Sequence, residues 1–527
     1  MPPPAAVLSF SMRRLIVLIA TAVLTVSAVA FADDETQAPH PIVLTNPASG
    51  SDLPDLGSPS EQIISHSDEY RLGEMVTKEL RDQSALMEDP EITDYLQNLG
   101  QRLAAQSAMG GRDFHFFVIK DDSINAFAVP GGFVFIHQGL FLATSSESEL
   151  ASVMAHEIAH VTQHHIARAI RNQSQQAMTT AAALLAAILL GAIGGGQAAE
   201  GGIVAAQGIA AQQQINFSRD NEAEADRVGI GYLAGAGFDA NAMGGFFETM
   251  SRHEGLAATY IPAMLIDHPV TTDRIAEARA RAAQFPPRTE HDSESYPLIR
   301  ERVRVLSTPA DVDLIDRYER KIKAGTADLA DRYAYALSLT EHNRAEDAVK
   351  VLTPLVQSHE EITLLHIALA QAVAKSGRPK EALAMFARTS ELFPRNVPVT
   401  VRYAQELMAV GRPMEAHNML LDLFNNVAPT PDQIRLTALA ASAAGDAGDA
   451  YYYMGEYQLT GGDLNLAAQQ YQLALASPHI SQIQRQRYQA RLDEVRDFLM
   501  SQRKRQLSEG GDPGQQGQQQ QGGRRGG

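Results

Sequence analysis

The 527-residue chain is predicted to be mainly α: a helical domain built around a small β-sheet, followed by an α-solenoid of stacked helix pairs. Three observations lead there. The chain is too long for one compact core, so two or more domains are expected. Apolar residues between about 61 and 145 switch between the helix and the strand period. Further on, three segments recur every 34 residues: Asn343-Arg344-Ala345-Glu346-Asp347-Ala348, Gly377-Arg378-Pro379-Lys380-Glu381-Ala382 and Gly411-Arg412-Pro413-Met414-Glu415-Ala416.

Residues 1–32 read as an export signal. Arg13-Arg14 supply the positive start, Leu15 to Val26 an apolar run shorter than the ~20 residues of a membrane span, and Ala30-Phe31-Ala32 a small-residue cleavage site. The mature chain would then begin at Asp33, in the periplasm. No cysteine is present, so disulfides add nothing and stability must come from packing and metal. Lys+Arg 44 against Asp+Glu 62 leaves a net charge of -18, which opposes non-specific binding to nucleic acid and removes it as an expected partner.

Residues 33–60, rich in Pro, Ser, Gly and Asp, predict a flexible lead-in. Tyr70 to Leu103 carries apolar positions at the helix period, among them Leu72, Met75 and Leu80. Phe114 to Ile119 reads as a strand, and Asn125 to Ile136 as a hairpin or edge strand broken by Pro130-Gly131-Gly132. Ser146 followed by Glu149 is a capping-box pattern that starts a helix through Leu150, Val153 and Met154. Ala177 to Ala210 is almost all Ala, Gly, Leu and Ile; it fits either a buried helical hairpin or a lid with peripheral membrane contact.

The 34-residue period is that of tetratricopeptide repeats. Ala368, Ala370, Phe386 and Pro394 in one unit, and Tyr403, Ala404, Leu420 and Pro429 in the next, fit close helix pairing and a stop after the second helix. Gly461-Gly462-Asp463 reads as another interhelix turn, out of phase with the first three. About four units are expected, stacked into a solenoid with a concave binding surface, because one unit alone cannot bury its apolar face. The expected division is 61–290 for the first domain, 291–315 for a linker, 316–500 for the repeats and 501–527 for a disordered tail rich in Gln, Gly and Arg.

The chemistry centres on His156-Glu157-Ile158-Ala159-His160. On a helix His156 and His160 project from one face, so both imidazoles can reach one zinc at about 2.0–2.1 Å. Glu157, beside the first ligand, is placed to take a proton from the attacking water as general base and pass it to the leaving amine. A catalytic zinc needs a third ligand, and Asn221-Glu222-Ala223-Glu224-Ala225-Asp226 offers carboxylates at helical spacing. Glu222 and Asp226 share a face while Glu224 points elsewhere. Glu222 is therefore assigned to the metal, and Asp226 to orienting a ligand histidine. His164 and His165 lie at a different helical angle and are read as helix-surface residues or as supports behind the ligands.

His156-Glu157-x-x-His160, Ser218-Arg219-x-x-Glu222-x-x-x-Asp226 and Asn125-Ala126-Phe127-Ala128-x-Pro130-Gly131-Gly132 together resemble the M48 zinc peptidases. With the export signal and the repeats, the resemblance is to their periplasmic β-barrel assembly-enhancing branch, over about 61 to 500. It implies a gluzincin-type fold, one Zn2+ per chain on His156, His160 and Glu222, and Glu157 as catalyst. It implies a role in outer-membrane protein assembly and quality control, with unfolded or misassembled outer-membrane proteins as clients and the β-barrel assembly machinery as a partner of the repeats. It also marks His268, in Asp267-His268-Pro269, either as a resting-state occupant of the open metal position or as a donor to the oxyanion. Asn125 to Ile136 is then either the edge on which an extended peptide pairs or a purely structural hairpin. The rival reading is a tetratricopeptide chaperone or assembly scaffold whose peptidase domain is silent or latched.

Overall fold

The computed structural model describes residues 66–110, 114–166, 219–256, 264, 268–287, 292–309 and 312–509. The expected export signal, the lead-in and the apolar stretch Ala177 to Ala210 lie outside these residues.

The helix-periodic stretch from Tyr70 to Leu103 forms two helices, α1 (His66–Asp82) and α2 (Pro90–Ala104). Asp89-Pro90 makes the break: the Asp89 carboxylate accepts from the Ile92 N–H, and proline sits in the first turn, where its missing N–H costs nothing. Met75, expected inward, faces solvent.

Three strands follow, β1 (His115–Ile119), β2 (Ala126–Val129) and β3 (Phe133–His137), in the order β1-β3-β2. β3 pairs parallel to β1 and antiparallel to β2, so Asn125 to Ile136 is both a hairpin and an edge. Gly131 and Gly132 both have positive φ, and a Cβ on Gly131 would lie 2.7 Å from the backbone of Glu69 and Tyr70. Side chains alternate across the sheet. Phe133, Phe135, Phe127 and Val129 pack on Val76 and Leu80 of α1, whereas Val134, Ile136, Ala126 and Ala128 join the main core with α2.

Short α3 (Gln138–Ala143) leads to α4 (Glu147–Thr162), buried almost throughout. Ser146 caps α4 by accepting from the Glu149 N–H, but the expected return bond shifts by one residue. The Glu149 carboxylate takes the N–H and hydroxyl of Ser145 instead. α5 (Arg219–Gly235) packs along α4, followed by α6 (Ala242–Leu256) and α7 (Thr272–Ala282).

The stretch expected as a linker contains α8 (Ser295–Ser307), which buries Tyr296, Leu298, Ile299 and Val303. The Tyr296 hydroxyl donates to the Thr144 carbonyl at 2.9 Å. Arg302 forms a two-pronged pair with Asp89, 2.7 Å on each arm, and donates to the Tyr333 hydroxyl at 3.2 Å. Sequence pattern missed this role because a helix buried on several sides lacks one clean apolar stripe.

After α9 (Leu314–Lys323) come five antiparallel helix pairs: α10 (Leu329–Glu341) with α11 (Ala345–Ser358), α12 (Thr363–Lys375) with α13 (Pro379–Leu392), and α14 (Val397–Ala409) with α15 (Pro413–Phe424). α16 (Pro431–Ala444) then pairs with α17 (Ala447–Thr460), and α18 (Leu464–Ala476) with α19 (Gln482–Glu509). One backbone feature marks every unit. Asn343, Gly377, Gly411, Gly445 and His479, each 34 residues from the last, take φ of 58°, 86°, 77°, 86° and 61° in the turn between paired helices. The expected four units are therefore five. Gly461-Gly462 is out of phase because it separates two pairs. Residues 501–509 of the expected tail belong to α19, and the rest of it lies outside the described residues.

The solenoid is held to the first half through the N-terminus of α2. Arg402 of α14 reaches Asp89 and Glu91 at 2.7 Å, alongside Arg302 of α8. Both acids are buried and both guanidiniums nearly so. Removing one partner of such a pair leaves an uncompensated buried charge. Arg302→Met is therefore expected to destabilise the full chain by about 3–5 kcal/mol in chemical denaturation; a loss under about 1 kcal/mol would show that the junction is not held this way.

Candidate metal centre

α4 places His156 and His160 on one face, and α5 crosses directly over it. Gly229 permits the crossing: a Cβ there would lie 3.1 Å from the Ala155 carbonyl oxygen and 3.2 Å from the His156 Cα. Asp226 is one turn before Gly229 and Glu222 one turn before that, so the bare contact delivers both carboxylates to the histidines.

The resulting cluster contains His156, His160, Glu222 and His268, all buried, with one ligand atom from each lying within 4.8 Å of the others. The two Nε2 atoms of His156 and His160 are 2.9 Å apart, and each lies 3.5 Å from a Glu222 carboxylate oxygen. His268 Nδ1 approaches to 3.4 Å from His156 Nε2 and 2.9 Å from Glu222 Oε1. A tetrahedron with metal–ligand bonds of ~2.0 Å has edges of about 3.3 Å, so the donor atoms fit one small cation. Glu157 is buried with Oε1 3.7 Å from His268 Nε2.

The electrostatics suit such a cation. Burial works against charge on Glu222, but His268 and His156 hold its carboxyl well below the usual range. Burial likewise opposes ionisation of Asp226, and His156 with Arg274 reverses the effect. His160 stays neutral because burial and the adjacent His156 both depress it. Burial also depresses His156, yet the bonds to Asp226 and Glu222 raise it to about 10. The site thus holds an ionised carboxylate, a neutral imidazole, and a proton on His156 that a metal would displace.

Asp226 stands behind the ligands. His156 Nδ1 lies 3.0 Å from its Oδ1 as an ion pair, which leaves Nε2 to face the cluster. Arg274, on α7, was not singled out by sequence. It makes a two-pronged pair with Asp226 at 2.7 and 2.8 Å, reaches Glu222 at 2.9 Å and donates to the Pro269 carbonyl at 2.9 Å. Two adjacent buried carboxylates needed a cation, and the arginine six residues after His268 was the available signal. Glu224 points away from the metal ligands, as expected from its helical angle, and bonds to His165.

Comparison with known proteins agrees with this geometry. Residues 90–282 match the model of peptidase family M48. The chain is 32% identical over 457 residues to the β-barrel assembly-enhancing protease of Escherichia coli K12, covering 85% of this chain and 92% of the relative. A Vibrio cholerae relative of the same description is 36% identical over 461 residues, covering 87% and 94%. The chain belongs to the M48 peptidase family. The similarity reaches the mitochondrial metalloendopeptidase OMA1 of Schizosaccharomyces pombe, 32% identical over 184 residues, but covers 35% of this chain and 51% of that one. This M48 member is thus a metalloendopeptidase, mainly helical with a three-stranded sheet and a helical repeat region.

In this M48 site the α4–α5 contact is the mechanical support. Gly229→Val is expected to push the helices apart, destabilise the fold by about 1–3 kcal/mol and lower bound metal. Thermal unfolding and elemental analysis of the purified chain would check both, and full metal occupancy with unchanged stability would contradict it.

Proposed function

We propose that the chain is a periplasmic zinc endopeptidase that acts on stalled or misassembled outer-membrane proteins, with zinc held by His156, His160 and Glu222. The observation that carries this reading is the convergence of those three side chains with Glu157 beside them. The client class is supported by the β-barrel assembly-enhancing role of the long relatives, and the compartment by the export-signal pattern of residues 1–32.

When bound, zinc supplies the Lewis acidity that polarises the scissile carbonyl and acidifies water. The chain's own residues do the rest. Glu157 takes the water proton and returns it to the departing amine, so no covalent intermediate forms. Asp226 and Arg274 fix His156 and Glu222. β2 borders α4 and, among the described residues, pairs with β3 alone, which suits the addition of an extended peptide as a further strand. The repeats offer the surface that recruits clients or the β-barrel assembly machinery.

The latched form of the rival scaffold reading is favoured by the position of His268. Its Nδ1 lies among the metal-ligand atoms, as a fourth ligand would, and its backbone N–H is tied to the Met264 carbonyl at 2.7 Å. We therefore assign His268 to the resting state, in which the repeats hold a client before cleavage begins. Cleavage of an unfolded outer-membrane protein separates the roles. Glu157→Gln is expected to lower the rate about 10²–10⁴-fold with zinc content unchanged, and His268→Ala to raise it above wild type. Equal rates for zinc-loaded wild type and Glu157→Gln would overturn the peptidase reading, and a His268→Ala rate below wild type would overturn the latch.

A further inference from the structure

α4 ends at Thr162, and its last turn does not simply fray. Gln163 donates to the Ala159 carbonyl, His164 to the Val161 carbonyl, and His164 takes a φ of 51°, a left-handed value that a residue with a Cβ rarely adopts. In a continuing helix, His165 would point about 140° away from His160, since each residue turns the chain by ~100°. The left-handed residue instead folds His165 back beneath His160.

There His165 is fully buried, with its Nδ1 2.9 Å from His160 Nδ1 and its Nε2 3.2 Å from Glu224 Oε2. One proton arrangement satisfies both contacts. His160 presents Nε2 to His156 and Glu222, so its Nδ1 carries the proton and donates to His165 Nδ1. His165 Nε2 then carries a proton and donates to the Glu224 carboxylate. Glu224 is partly exposed and lies 3.7 Å from Arg227, so its charge stays solvated.

We propose that His165 and Glu224 are positioning residues for metal binding, a two-step relay that fixes the tautomer and ring plane of His160; this rests on the metal centre proposed above. His156 receives the same service in one step, directly from Asp226. The three acids at alternate positions on α5 thus have separate tasks: Glu222 binds metal, Asp226 holds the first histidine, and Glu224 holds the second through His165. The relay makes the His164 backbone part of the metal site.

The test is zinc affinity of the full chain, measured by competition with a chromophoric chelator, with apo-protein unfolding recorded alongside. His165→Ala is expected to bind zinc about 10–100-fold more weakly. His165→Gln, whose amide can accept from His160 and donate to Glu224, is expected to recover most of that loss. Glu224→Gln should weaken binding less than His165→Ala, and the double variant His165→Ala/Glu224→Gln no more than His165→Ala alone, because the steps act in series. Equal impairment of His165→Ala and His165→Gln would reduce His165 to a packing residue and overturn the relay. Zinc binding by both His165→Ala and Glu224→Gln within about twofold of wild type would overturn it as well, leaving the metal centre standing. Should His165→Ala fail to fold, Glu224→Gln alone decides by the same criterion. Wild type that takes up no zinc would instead overturn the metal centre, and the relay with it.

Discussion

The site depends on a place where a side chain is missing. At Gly229 the α5 backbone meets α4 at the level of Ala155 and His156, and every functional acid on α5 is positioned by that contact. Glu222 and Asp226 lie toward the histidines because they precede Gly229 by whole helical turns. Glu224, offset by half a turn, reaches His165 beneath His160 instead. A bulky residue at position 229 would press on the α4 backbone at Ala155 and His156, and with it on the placement of all three acids. The sheet and α2 have the complementary task of holding α4 still from the other side, with Phe116, Val118, Val134 and Ile136 in one core with Leu150, Val153 and Met154.

The same economy joins the two halves. α2 lies under α4 in that core, and the charged N-terminus of α2 receives Arg302 from α8 and Arg402 from the third repeat pair. Asp89 and Glu91 are favoured there by the helix dipole, yet burying them without the arginines would be costly. The repeats are therefore attached to an element that packs against the metal-binding helix. A load on the solenoid has a short packed route to α4, through α14 and α2. The first core also runs without interruption from Met87 into Ala382, so the boundary between the halves is a change of function rather than a gap in packing.

Much of this was legible in the residues alone. His156, His160, Glu222 and Asp226 obey helical spacing, so their convergence needed only two helices crossing, and the 34-residue period gave the solenoid. The turns at Gly445 and His479 were hidden because neither is followed by the arginine that follows Asn343, Gly377 and Gly411; the left-handed backbone keeps the period there. Arg274 and Arg302 were hidden for a different reason. Their partners are 48 and 213 residues away, and long-range charge pairs leave no periodic trace. His165 was left between two readings because a helical angle was applied past the end of the helix, where His164 turns the chain.

Charge explains why such a site suits a dication and a histidine latch. Among the described residues, Glu157, Glu222 and Asp226 share one buried region with one guanidinium, Arg274. As carboxylates, three acids against one arginine leave two negative charges, which the proton on His156 and the upward shift of His268 offset until a cation displaces them. A divalent cation on His156, His160 and Glu222 cancels that excess without adding a further buried base. A carboxylate in place of His268 would upset the balance on entering and again on leaving. Burial opposes charge on His268 while Glu222 and Glu157 favour it, but as a metal ligand its imidazole is neutral, so on a metal-loaded site its exchange for a neutral peptide carbonyl is decided by contacts rather than by the cost of burying an ion. The residue best suited to closing this site reversibly is the kind found at position 268.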